Sequence, residues 1–365
     1  MKTKDLLEVL LAVKPGLAKK EIVEQTTHFI FTGDRVVTYN DRVCVSHPFE
    51  TDFQCSVIAK EFYDVLSDVK EEILTVELQD KQLKLSSGKT RLGLQVMESG
   101  TLESTIEQLG AQDESRIWRR IPEDFIQGLF LCLFSASTNL THKNLSCLYV
   151  HADRVLSSDN NRISRYEMNG RVRSSFLLPL SSAQDLVKYD IQSMCLDESW
   201  AHFKTANDAI FSARLYLSDI PYPEEAMGEH LVVDGSTFTL PKELGVVVQE
   251  MFIATQGREE ADKEIRVTMG EGDITCRGEL AQGKGWLEKD VDFPEYKGGK
   301  ISFAVQPVFF AQVLAKTTTM TLGDNRALFE SGQKFKHVML LHIPKPAGES
   351  EKPKAAGRKR GRRDS

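Results

Sequence analysis

Leu83-Lys84-Leu85-Ser86-Ser87-Gly88 is an alternating strand that runs into a turn residue, and the chain repeats the phrase twice, as Phe203-Lys204-Thr205-Ala206-Asn207-Asp208 and Leu328-Phe329-Glu330-Ser331-Gly332. A second alternating strand follows each turn, over Thr90 to Val96, Ile210 to Leu217 and Lys334 to Leu341. Alternation of period two buries one row of side chains and leaves the other wet. The copies recur at a spacing of roughly 120 residues, and self-similarity on that scale outranks any local motif.

Upstream of each hairpin the chain also repeats itself. Helices are expected over Val57 to Val69, Ala183 to Ile191 and Pro307 to Leu314, after the apolar strands Phe53-Gln54-Cys55-Ser56, Phe176-Leu177-Leu178-Pro179 and Ile301-Ser302-Phe303-Ala304. Earlier still, three apolar stripes of helical period appear. They are Leu6, Leu7, Leu10, Leu11 and Val13; Phe125, Ile126, Leu129, Phe130 and Leu133; and Leu244, Val247, Val248, Met251 and Phe252. The pattern predicts an α+β chain of three repeated domains, each with two amphipathic helices packed on antiparallel sheets. Their expected bounds are 1–117, 118–234 and 235–344, with a basic tail at 345–365.

The 365 residues, 41% of them hydrophobic, can bury several cores of ordinary size. No run approaches the roughly 20 apolar residues of a membrane span, and Met1-Lys2-Thr3-Lys4 leads into an amphipathic helix rather than a signal-peptide core. A cytoplasmic protein with no membrane partner is expected. The six cysteines lack metal-binding or redox spacing and are expected to be reduced and buried. Charge is divided unevenly. The tail carries eight Lys or Arg against three Asp or Glu, so residues 1–344 hold 38 against 50, a balance of −12. Rich in Pro, Gly and charge, the tail reads as disordered, and its arginines suit phosphate neutralisation, an import signal or simple solubility.

Ser157-Ser158-Asp159-Asn160-Asn161-Arg162-Ile163-Ser164 follows the apolar strand Leu148-Tyr149-Val150-His151-Ala152-Asp153. This stretch resembles the bacterial sliding clamp, the beta subunit of DNA polymerase III, where the segment reads Ala-Thr-Asp-Gly-His-Arg-Leu-Ala. Ile210 to Pro223 is similar to that family's Phe-Ser-Ser-Arg-Leu-Ile-Asp-Gly-x-Tyr/Phe-Pro, and Phe303 to Leu314 to its Val-Asn-Pro-x-Tyr-Leu-x-Asp-x-Leu. The likeness runs in order from about Lys4 to Ile343. Two departures stand out: the family's Gly-His is Asn160-Asn161 here, and its terminal Met-Pro-x-Arg-Leu becomes Met339-Leu340-Leu341-His342-Ile343-Pro344 with more chain beyond. They point to a divergent version, of the kind a phage would encode.

The resemblance implies a processivity factor without catalytic residues, metal or cofactor. Two chains would close head to tail as a homodimeric ring around duplex DNA, independent of sequence, at the nucleoid. The duplex would be met by Lys14, Lys19, Lys20, Lys60, Lys143, Arg171, Arg173 and Lys188, although acidic residues share several of the helix faces and the tail is an alternative source of charge. DNA polymerase and the clamp loader would dock short linear motifs in a groove of Leu145, Ser158, Asn160, Asn161, Arg162, Ile163, Pro241, Val246, Val338, Leu340 and Leu341. Val338 and Leu340 read equally well as core strand residues. The ring would close through edge strands at Thr90 to Met97 and Asp273 to Gln282, neither of which contains proline.

Catalytic patterns are otherwise missing. The eight histidines show no His-x-x-x-His spacing, no Gly-x-Ser-x-Gly elbow occurs, and Gly270-Glu271-Gly272 and Gly283-Lys284-Gly285 read as hairpin turns. Glu259-Glu260-Ala261-Asp262 reads as a solvated loop. The rival from another class is a clamp-fold scaffold or transcription co-activator that never encircles DNA. A nuclease ranks third, for want of a carboxylate cluster.

Overall fold

The structure, a computed structural model, describes residues 1–97, 116–258, 263–281 and 284–342. The tail from 345 and the Glu259 to Asp262 loop lie outside the described residues.

The chain opens with α1 (Thr3–Val13), then β1 (His28–Phe31), β2 (Arg35–Tyr39), β3 (Val43–Pro48) and β4 (Cys55–Ile58), then α2 (Ala59–Asp68) and β5 (Thr75–Gln79), β6 (Gln82–Ser87) and β7 (Thr90–Met97). The order returns, headed by a short strand: β8 (Arg119–Arg120), α3 (Phe125–Cys132), β9 (Cys147–His151), β10 (Arg154–Ser158), β11 (Arg162–Glu167), β12 (Phe176–Pro179), α4 (Leu180–Leu186), β13 (Ile191–Leu196), β14 (Trp200–Thr205) and β15 (Ile210–Arg214). After α5 (Glu224–His230) it comes a third time. The elements are β16 (Ser236–Thr239), α6 (Glu243–Glu250), α7 (Phe252–Thr255), β17 (Ile265–Met269), β18 (Asp273–Glu279), β19 (Trp286–Asp292), β20 (Ile301–Val305), α8 (Pro307–Leu314), β21 (Thr319–Leu322), β22 (Arg326–Ser331) and β23 (Phe335–Leu340). The three closing hairpins even share backbone chemistry. Gly88, Asp208 and Gly332 sit at their turns with φ of 55°, 60° and 59°. That left-handed conformation is free to glycine and tolerated by aspartate.

By internal contacts the chain forms two units, 1–232 with 330–338, and 233–329 with the residues from 339 onward. The boundary expected at 234/235 lies beside this division; the one expected at 117/118 falls inside the first unit.

The first unit is built on an antiparallel sheet of order β5-β6-β7-β4-β1-β2-β3-β15-β14-β13-β8, in which two repeats join where Val45 pairs with Phe211 and Cys44 with Ser212. Its second sheet runs β12-β9-β10-β11-β23. Between helices and sheets lies a core containing Phe29, Phe31, Phe62, Phe125 and Phe203, with Phe31 and Phe62 edge to face at 6.1 Å. Gly128 lets α3 sit close to β11, since a Cβ there would meet Tyr166 at 2.8 Å. The second unit has a sheet of order β19-β18-β17-β20 and packs Phe303 against Phe310, and Phe310 against Phe329, at 6.3 and 6.0 Å.

The structure moves several expected bounds. α2 begins at Ala59 because Val57 pairs with Phe29 as part of β4. α4 spans Leu180–Leu186, and Ile191 opens β13 instead of ending the helix. Leu11 and Phe130 leave the apolar stripes, at 57% and 49% exposure. Each stands five residues beyond a buried anchor, Leu6 or Phe125, and five steps of a 3.6-residue turn point well away from the core. The helix at Pro307–Leu314 stands as expected. Cys44, Cys55, Cys132, Cys147 and Cys276 are free and buried, and Cys195 is free and partly exposed.

Candidate functional site

The eight basic residues expected to meet DNA all belong to the first unit, and their surroundings differ. Lys14, at the end of α1, holds its ammonium 4.8 Å above the Tyr63 ring. Lys19 and Lys20 are exposed on the loop before β1. Lys60 pairs with Asp64 one helical turn on, at 3.3 Å, and Lys188 with Asp185 at 2.6 Å. These are exposed pairs on their own segments, so they contribute little to stability, and each aspartate offsets the charge of its lysine. Lys143 is exposed with φ 48° within a 3₁₀ stretch, Leu140–Ser146.

Arg171 and Arg173 are brought together with two arginines that the sequence reading missed. The loop from β11 to β12 and the short strand β8 flank a cleft of about 1000 Å³ whose lining includes Arg119, Arg120, Arg171, Arg173, His151 and Leu196. The adjacent pair Arg119-Arg120 was the available signal. Its link to residues some fifty positions later is made only by strand pairing, Arg119 opposite Met194 and Arg120 opposite Ser193.

The Asp159 to Ile163 segment is the hairpin turn between β10 and β11. Asn160 adopts φ 78°, a conformation asparagine reaches more readily than most residues, which accounts for asparagine standing where the clamp segment has glycine. The Asp159 carboxylate accepts from the Asn161 amide at 3.1 Å and from Arg162 Nε at 2.9 Å. The Arg162 guanidinium, 6% exposed, lies 5.4 Å from the Phe134 ring centre. Burial lowers its ordinary pKa, while Asp159 works the other way. One strand over, His337 Nδ1 lies 2.9 Å from Ser164 Oγ and 3.3 Å from Ser135 Oγ, and the two hydroxyls are 2.7 Å apart. Burial holds His337 well below the usual histidine range, with the Arg162 charge adding to the effect, so the ring is neutral.

Of the other residues expected in a partner groove, Ser158, Ile163 and Val338 are buried and Leu145 is half-buried in the first unit. In the second unit Leu341 is buried, Pro241 half-buried, and Val246 and Leu340 are exposed at 59% and 49%. Thus Val338 is a core strand residue, Leu341 is buried just past the end of β23, and Leu340 presents an apolar side chain to solvent.

One expected ring edge is corrected. β18 (Asp273–Glu279) is flanked by β17 and β19, so its backbone groups are already engaged, and the edge strand of that sheet is β19. Glu288, Lys289, Asp290 and Asp292 give β19 the charge typical of an edge. β7 (Thr90–Met97) pairs along its length with β6 but with β4 only at Val96 and Met97, so the other side of Thr90 to Gln95 has no strand partner among the described residues. Among the described residues no helix is long and apolar enough to cross a membrane, and no group of three or more His, Cys, Asp or Glu could hold a metal.

Repeated helix and strand units, antiparallel sheets and the asparagine-bearing turn define the sliding-clamp fold, and the solved structures agree. The chain is similar to the DNA polymerase beta subunit of Streptococcus pyogenes (TM-score 0.76, 14% identity) and to the DNA polymerase III beta subunit of Thermotoga maritima (0.72, 17%). It is likewise similar to the Helicobacter pylori beta clamp bound to a DNA ligase peptide (0.72, 14%). In all three, 94% of this chain and 99% of the other are covered. No protein-family model and no curated protein matches the sequence.

Proposed function

We propose that this protein is a DNA sliding clamp, a non-enzymatic processivity factor that encircles duplex DNA and tethers a polymerase. The observation that carries the reading is likeness over full length: nearly all of this chain overlays nearly all of a clamp chain, leaving little room for a further catalytic domain in the described residues. Three domains, at 1–117, 118–234 and 235–344, follow from the recurring element order. Ring closure in a homodimer uses the open side of β7 in one chain and the β19 edge of its partner, unlike edges that pair head to tail. DNA is met by the exposed Lys14, Lys19, Lys20 and Lys143, with weaker help from the paired Lys60 and Lys188. Partner peptides dock at the Asp159–Ile163 turn, in keeping with the peptide held by the Helicobacter pylori clamp. Work on DNA places the protein at the nucleoid, with partners as divergent as its own sequence, such as those of a phage.

The test is topological. Light scattering across a concentration series should give a mass twice the 41.1 kDa chain. Protein loaded on a nicked circular plasmid should be released when the plasmid is cut once, because a ring slides off an end. A persistent monomer, or equal retention on circular and linear DNA, would replace this reading with the scaffold.

A further inference from the structure

The arginine cleft has a chemistry that encircling DNA does not require. Its floor is one face of the β8–β13 pair: Arg119 stands opposite Met194, so alternation puts Arg119, Met194 and Leu196 on a single side, with Ile117 lining the cleft just before β8. Its wall is the loop carrying Arg171 and Arg173. Among the described residues four arginines line it and no Asp or Glu does, in a body whose balance over residues 1–344 is acidic. The acids just outside offset that charge only in part: Asp153 pairs with Arg154 at 3.0 Å and also faces Arg171, and Glu123 reaches Arg120 at 3.7 Å between two highly exposed side chains. No residue of the cleft comes from α1, α2, α3 or α4. β8 is the last strand of its sheet, so its outer side offers backbone donors and acceptors that no described strand uses.

Shape and lining decide among the anions that such charge would attract. A B-form duplex, whose major groove alone is about 12 Å wide, is too broad for a concave cleft of about 1000 Å³. Single-stranded nucleic acid is held by stacking on aromatic side chains, and among the described residues no Phe, Tyr or Trp lines this cleft. An extended peptide answers each feature. Its backbone suits the open edge, its apolar side chains suit Ile117 and Leu196, and its carboxylates suit guanidiniums that grip them two-pronged. We propose that this cleft binds an extended acidic peptide of a partner protein, alternating acidic and apolar residues, laid along β8. The inference does not depend on ring closure or on the clamp reading.

The probe is a fluorescein-labelled peptide of alternating glutamate and leucine, titrated with full-length protein by anisotropy at low salt. A lysine-for-glutamate version and a short duplex run beside it. The glutamate peptide should bind about tenfold or more tighter than the lysine peptide. Arg119→Gln with Arg120→Gln should weaken it on the order of tenfold per arginine, the ordinary weight of a charge-assisted hydrogen bond. Arg119→Glu, Arg120→Glu, Arg171→Glu and Arg173→Glu together should transfer preference to the lysine peptide, which a folding defect cannot do. Equal binding of both peptides, an unchanged affinity in the glutamine variant, or a loss confined to the duplex would each overturn the proposal, the last in favour of a nucleic-acid surface.

Discussion

Arg162 and Arg171 stand nine residues apart, one opening β11 and the other in the loop that follows it, yet they do opposite things with the same side chain. Arg162 is buried, paired with Asp159 at 2.9 Å and set against Phe134. Arg171 is exposed on a cleft whose lining, among the described residues, has no acid. A guanidinium that spends its donors inside the protein fixes a turn; one that keeps them is available to a ligand. The difference is made by burial, which sequence alone does not display.

Removing the buried arginine should have the largest effect. Arg162→Ala leaves Asp159, itself 12% exposed, without its counter-ion, and breaking a pair this buried costs about 3 kcal/mol. Urea denaturation at neutral pH would read the loss as a lower midpoint at unchanged slope. If stability held, the turn would owe its shape to the backbone alone, and the contrast with Arg171 would collapse.

The next effect is a slope against pH. Burial depresses His337 well below its ordinary value, and burial also lowers His28, His47 and His202. For such groups the unfolded chain takes up protons first. Stability is therefore full above the unfolded value near 6.5 and falls as pH drops below it towards each folded value, by at most about 1.4 kcal/mol per pH unit for each histidine. His337→Leu should flatten that slope between pH 7 and 5 by one histidine's share. Asp124 and Asp197, whose pKa values are lowered, act only at more acid pH. At Asp124, burial by itself raises the value, but hydrogen bonds from Lys334 and the Asn169 amide more than offset it.

How much of this was legible in the sequence follows the same line between local and non-local chemistry. Period-two and helical patterns are local, so the threefold order of elements could be read from Leu83 to Gly88 and its copies. The turn at Asp159 to Arg162 was legible because its chemistry is held within four residues. Strand neighbours are not local. Alternation in Asp273 to Gln282 marks a strand but not what lies beside it, and β19 proved to be the edge. For the same reason Arg119-Arg120 could not be joined to Arg171 and Arg173 before the pairing of β8 with β13 was known.

A smaller effect sharpens the turn itself. Asn160→Ala should cost about 1 kcal/mol, because φ 78° is strained for a residue with an ordinary Cβ. Asn160→Gly should be close to neutral, restoring the residue of the clamp segment. Equal effects of the two variants in thermal melts would mean that the side chain, not the backbone, holds the turn.

The smallest effect completes the comparison. Arg171→Ala with Arg173→Ala should shift stability by no more than about 0.5 kcal/mol, the usual range for exposed positions whose partners are solvent. The same double variant should weaken capture of the glutamate peptide, so that a ligand registers a loss the fold does not. A destabilisation approaching that of Arg162→Ala would mean that the cleft arginines are consumed by contacts within the protein. The open charge on which their proposed role rests would then be gone.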